Sequence, residues 1–147
     1  VATKDVIDAM VDSIIEKLMD HASDLGNITN VYERDEDPAI ALEAGHIPCA
    51  YIVPLIGGDS NIDMTMGGPQ AIHDFGITLL AYYRMPDVNT SLRTVRGYGY
   101  DTLDLFRDYQ SIDTGQLYNA NVEFGYFTVV DVIVHWWSIG MRFKLIA

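Results

Sequence analysis

Tyr126–Ala147 reads YFTVVDVIVHWWSIGMRFKLIA, and the phase of its apolar residues decides the fold. Val130, Val132, Val134 and Trp136 alternate along one face of a strand, and Trp137, Ile139, Met141, Phe143 and Leu145 continue in the opposite parity. A one-residue change of phase predicts a bulge or bend, here near Ser138-Gly140. Arg142 and Lys144 fall on the side away from the apolar set.

Outward from this segment, Leu117–Glu123 reads as a short strand and Asn89–Gln110 as a helix whose Leu92, Val95, Leu103 and Phe106 face a sheet. Gly97 and Gly99 are costly in a helix interior, so they predict a close backbone approach or a bend. His73–Arg84 alternates strictly, with Phe75, Ile77, Leu79, Ala81 and Tyr83 on one face, and Met85-Pro86-Asp87 ends it. Ala50–Ile56 is a strand whose Pro54 lacks a ladder donor, which places it at an edge or a bulge. Between these two strands, Gly57–Gln70 predicts a hairpin with a long tip. Thr3–Asp24 repeats apolar residues at three- and four-residue steps and can end at Gly26-Asn27. Asn27–Ala44 reads as polar and irregular, with a short strand at Asn30–Arg34. The expected fold is α+β, a single domain over residues 1–147, with a mainly antiparallel twisted sheet and two helices packed on one face.

Composition bounds the function. Asp outnumbers Glu 16 to 5, Lys and Arg number 3 and 6, and the formal net charge is −12. This balance fits a surface adapted to high salt, where screening removes self-repulsion, or an ordinary acidic cytosolic protein. Either way, a broad basic patch for phosphate backbones is excluded. The apolar runs are far shorter than the ~20 residues that span a bilayer, so no membrane role is expected. Lys4 is followed by Asp5, Asp8 and Asp12 rather than an apolar run, so synthesis in a cytoplasm is expected. Cys49 is the lone cysteine and reads as a small buried hydrophobe. Asp8, Asp12, Glu16, Asp20 and Asp24 stand four apart on the first helix, a solvated face or a contact for a basic partner.

No constellation for catalysis is legible. There is no Gly-x-Ser-x-Gly elbow, no His-Glu-x-x-His zinc site and no dinucleotide-binding glycine loop. Asp131 and His135 would stand roughly 13 Å apart along a strand, too far for an acid–base pair. Glu33, Asp35, Glu36 and Asp37 could hold a cation but lack the ligand alternation and fixed glycine of a calcium loop; a solvated acidic turn before Pro38 fits better. The expectation is a protein that is not an enzyme and has no cofactor or metal.

Aromatic surface points to assembly instead. Tyr82-Tyr83 and Trp136-Trp137 each present one ring to either sheet face, and helices cover only one face. The opening helix, the strand entry Ile47-Pro48-Cys49-Ala50-Tyr51-Ile52-Val53, the loop, His73–Arg84, the second helix and the final strands together resemble tail terminator proteins of tailed phages and archaeal viruses. The resemblance covers most of the chain and lies in element order and strand patterning. The Asp-rich, Lys-poor composition would suit a virus of a halophilic host. The resemblance implies a virion protein, assembled in the host cytoplasm into a hexameric ring. Such a ring caps the tail tube, meets the tail tube protein and a head or neck connector protein, and passes DNA through its bore without specific binding. Under it, Tyr82, Tyr83, Trp136, Trp137 and Phe143 are candidate subunit contacts. Asp59, Asn61, Asp63, Met64 and Met66 form a candidate tube- or lumen-facing loop. Another neck or head-completion subunit is the alternative, and a small-ligand-binding domain or enzyme a further one.

Overall fold

The computed structural model describes residues 3–55, 60–65, 68–107, 111–112 and 115–146. In chain order the elements are α1 (Thr3–Asp20), a 3-10 turn (Ala22–Leu25), β1 (Val31–Tyr32), α2 (Pro38–Glu43), β2 (Cys49–Leu55), β3 (Ser60–Thr65), β4 (Gly68–Arg84), α3 (Asn89–Arg107), β5 (Ser111–Ile112), β6 (Gly115–Val129) and β7 (Val132–Ile146). The strands form one seven-stranded sheet in the order β1-β2-β4-β7-β6-β5, with β3 also paired to β4. All pairings are antiparallel except β1 with β2. The α+β class and the antiparallel sheet follow the sequence reading.

Helices α1 and α3 share one sheet face because their apolar stripes match it. Met10, Val11, Ile14 and Leu18 of α1 and Val95 and Phe106 of α3 are buried with Ala50, Ile52, Ile77, Leu79, Ala81, Tyr83, Trp137, Ile139, Met141 and Phe143. Gly99 explains one of the two helix glycines: a Cβ there would lie 3.1 Å from Trp137 Cβ, so its absence lets α3 settle onto β7. Gly97 faces open space. Two buried polar groups are satisfied across this core. Trp137 Nε1–H donates to Tyr83 Oη at 2.8 Å, and Tyr83 O–H donates to the Leu25 carbonyl at 2.8 Å. Gly26 follows in the left-handed region (φ 82°), where a Cβ would come 2.6 Å from Tyr83 Cε1. The predicted stop at Gly26-Asn27 therefore comes after an extra 3-10 turn.

The C-terminal segment departs from its reading in two ways. Tyr126–Val129 belongs to β6, and a two-residue turn at Val130-Asp131 starts β7. Both turn residues have positive φ (45° and 64°), as a hairpin matched to strand twist requires. Valine is a poor residue there, so no turn signal was legible. The change of apolar phase is also not a bulge near Ser138-Gly140, since β7 keeps unbroken register with β4 from Ile146↔Ile72 to Val134↔Arg84. Its two ends serve different faces instead. Val134, with Trp136 packed against it, joins a second cluster of Ala41, Cys49, Tyr51 and Tyr82, while Trp137 to Phe143 serve the main core. The irregularity that does occur is in β6, between Leu117 and Asn119.

Two further expectations are corrected. Asn27–Ala44 is not wholly irregular: Asp37 accepts from Ala39 N at 2.8 Å and Pro38 follows it, which starts α2. This third, short helix packs against the second cluster, opposite α1 and α3. Gly57–Gln70 is not mainly loop. Ser60–Thr65 is strand β3, paired with His73–Gly68 of β4, so Asn61, Asp63 and Met64 sit in a ladder. Asp59 and Met66 lie outside the described residues. Pro54 occupies the part of β2 that β1, paired only to Ala50 and Tyr51, does not reach.

Val130 is a β-branched residue in the left-handed region, 89% exposed and so without packing to repay its strain. Val130→Asn is expected to stabilise the protein by roughly 1 kcal/mol. Thermal unfolding checks this; an unchanged or lower midpoint would contradict the assigned turn.

Candidate interaction face

One sheet face lies under α1 and α3; among the described residues the other is covered at one end. There, residues 36–43 sit over Cys49, Tyr51, Tyr82 and Val134. Glu36 fastens this cover. Its carboxylate accepts from Tyr51 O–H at 2.7 Å, meets His46 Nδ1 at 3.0 Å and lies 3.7 Å from Arg34, while its carbonyl accepts from Tyr82 O–H at 2.8 Å. These bonds, the Tyr51 hydroxyl foremost, hold the Glu36 carboxyl below its ordinary pKa of 4.5. Burial pushes the neighbouring Cys49 thiol up, and its Sγ lies 3.4 Å from Tyr51 Oη. Such a thiol is inert, in keeping with the hydrophobe reading. Of the acidic cluster, Glu36 and Asp37 thus serve the fold, while Glu33 and Asp35 stay exposed. Among the described residues, no group of three or more His, Cys, Asp or Glu side chains could hold a metal ion.

Past this cover, no helix among the described residues lies over the face. Trp136 lies over Gly125, where a Cβ would come 2.9 Å from its ring, and stacks with Phe127 at 6.0 Å between centroids. Phe127 is 43% exposed. Next come Leu80, Ser138 and the exposed Glu123, then Thr78, Gly140 and Asn121, and a Cβ on Gly140 would meet nothing within 4 Å. At the far end, Arg142 donates to Asp74 at 2.8 Å, and the Tyr118 hydroxyl lies 2.6 and 2.7 Å from the two Asp74 carboxylate oxygens. Lys144 Nζ stands 5.1 Å from the Tyr118 ring centre. Tyr118 first, then Arg142, draws the Asp74 carboxyl below its usual range. The face therefore has an aromatic end at Trp136 and Phe127 and an ionic end at Asp74, Arg142 and Lys144.

The candidate contact residues separate on this geometry. Tyr83, Trp137 and Phe143 are fully buried in the main core, and Tyr82 is buried beneath the Glu36 cover. All four are spent inside the chain because both sheet faces carry apolar clusters. Trp136 alone reaches the open face. Tyr118, Phe127 and Asp74 carry no signal in the sequence that marks them as surface groups. Tyr118 reaches Asp74 at the register shift in β6, which no residue pattern announces. Arg142 and Lys144 do point away from the main core, as their parity required.

His135 is buried on the helix-covered face. Its Nε2 lies 3.2 Å from the Asp87 carbonyl and its ring packs on Tyr126, while Asp131 sits in the turn. Burial lowers its pKa, which favours the neutral ring. Among the described residues, one open groove of about 330 Å³ lies between Arg84–Pro86 and Asp131–Ile133, and another of about 450 Å³ between α3 and the start of β6. Among the described residues, no helix is long and apolar enough to cross a membrane.

No protein-family model matches the sequence, and no curated protein matches it. Among solved structures, the fold is similar to that of a chain from a structure described as "Virion of native gene transfer agent (GTA) particle". The TM-score is 0.51 at 16% identity, with 97% of this chain and 98% of that chain covered. At that identity the likeness is one of fold.

A carboxyl held low in the folded state adds stability above its unfolded pKa and loses it as pH falls through the folded one. Stability should therefore drop through the acid range, and Glu36→Gln should be less stable at neutral pH with a flatter acid limb. Thermal midpoints along a pH series check this; a variant with the parent's acid limb would remove Glu36 from the account.

Proposed function

We propose that this chain is a structural protein of a phage-like virion, and that its role is that of a tail terminator subunit. The observation that carries the reading is the shared fold with a virion chain over nearly the whole length of both molecules. The surface supports it. Partly buried Trp136 and exposed Phe127 stack on the sheet face opposite α1 and α3, and Tyr118 is 47% exposed. Aromatic surface of this kind dominates the energetics of protein contacts. Val130 stands nearby at the β6–β7 tip as a strained, exposed apolar residue, and strain of that sort concentrates where segments engage partners.

In this role six copies close a ring on the end of the tail tube, and the ring's flat surfaces meet the tube protein and the head or neck connector. The open face with Trp136 and Phe127 serves one of these contacts. A net charge of −12 per copy repels the genome, so DNA slides through the bore rather than binding it. No step of this role calls for catalysis, a cofactor or a membrane.

Sedimentation of the purified chain at micromolar concentration in high salt tests the reading. A hexameric species is expected, and a purely monomeric profile would sink it. Labelling of particles distinguishes a terminator, found at the head-proximal end of the tube, from a subunit placed elsewhere in the neck.

A further inference from the structure

Among the described residues the sheet leaves unpaired strand edges on both sides. On one side β6 runs from Gly115 to Val129, but β5 pairs only with its Gly115 and Gln116. From Asn119 to Val129 the strand keeps regular register with β7 and has no outer partner among the described residues. No backbone bond from a turn or loop among those residues reaches it either. The sequence there, NANVEFGYFTV, contains no lysine, arginine or proline, and its one charge is Glu123. Free edges in soluble proteins are normally kept short or blunted by such residues, because unpaired N–H and C=O groups recruit another strand. A groove of about 450 Å³ runs beside the start of this edge, between Leu103 and Arg107 of α3 and Gln116–Ala120. On the opposite side, Ile72 and His73 of β4 pair with β7 on one flank and β3 on the other, which leaves β3 as an outer strand among the described residues.

We propose that the Asn119–Val129 edge of β6 pairs with the β3 edge of a second copy of this chain. Strand direction favours this partner. Three antiparallel steps separate β3 from β6, through β4 and β7, so the two edges run in opposite directions. A neighbour related by rotation about an axis roughly parallel to the strands then presents β3 antiparallel to β6, in the more stable ladder. Because the two surfaces differ, the contact is head-to-tail and repeats from copy to copy until it closes. Closure into a ring rests on the terminator reading above; the pairing itself rests on the two edges.

Consecutive residues of an antiparallel strand send their N–H groups alternately to either side. Asn121→Pro and Val122→Pro therefore differ: one removes a β6–β7 bond and destabilises the fold, and the other removes an outward donor. The outward variant is expected to keep the parent's circular dichroism and thermal midpoint while self-association weakens at least tenfold. Asn61→Pro and Ile62→Pro should divide the same way in β3. If the folded variants associate like the parent, or only the β6 variants lose association, the proposal is overturned. Should a variant fail to fold, amide hydrogen exchange on the parent decides. Alternate amides from Asn119 to Val129 should be protected when concentrated and exchange fast on dilution, and exchange independent of concentration overturns the pairing. A parent that forms rings unaffected by these variants refutes the edge and leaves the ring reading standing. Edge-dependent association that never exceeds a dimer does the reverse.

Discussion

The fold hangs on a chain of two hydrogen bonds through its centre, from Trp137 on β7 to Tyr83 on β4 and from Tyr83 to the carbonyl of Leu25. Each group is buried, and each would carry the full cost of desolvation if left unpaired. The two bonds tie the middle of the sheet to the turn that follows α1. That turn stops where it does because Gly26 adopts a positive φ against the Tyr83 ring. Gly99 of α3 closes over Trp137 from above. Both long helices thus take their positions from the same two aromatic side chains, and the remaining apolar residues fill in around them.

Much of this was legible in the sequence. The helix periods, the strict alternation of His73–Arg84 and the parity of Trp137 to Phe143 all express one requirement, that apolar side chains share a face. What escaped was information that single residues do not carry. Valine gives no turn signal at position 130, because a residue forced into the left-handed region by its neighbours leaves no mark in its own chemistry. The phase change in β7 was visible, but a strand that bulges and a strand that serves two cores leave the same pattern. Resolving it required knowing that residues 36–43 lie on the far face, and that cover is built from Glu36, Tyr51, His46 and Tyr82, scattered through the sequence.

The same cover explains why most of the aromatic residues expected at a contact lie inside. A sheet with helices on one face only would have left Tyr82 exposed. The short α2 and the Glu36 bonds take it out of water together with Tyr51 and Cys49. On the face opposite α1 and α3, the aromatic surface among the described residues includes Trp136 with Phe127, and Tyr118 with its Asp74 and Arg142 partners.

Trp136 rests on Gly125, so the height of its ring above the sheet is set by an atom that is missing from the neighbouring strand. Any other residue at that position would lift the indole off the ladder. The depth of relief on the open face is therefore tuned at a site that is not aromatic and would itself touch no partner. Change there could reshape what the surface fits while leaving every contacting side chain the same.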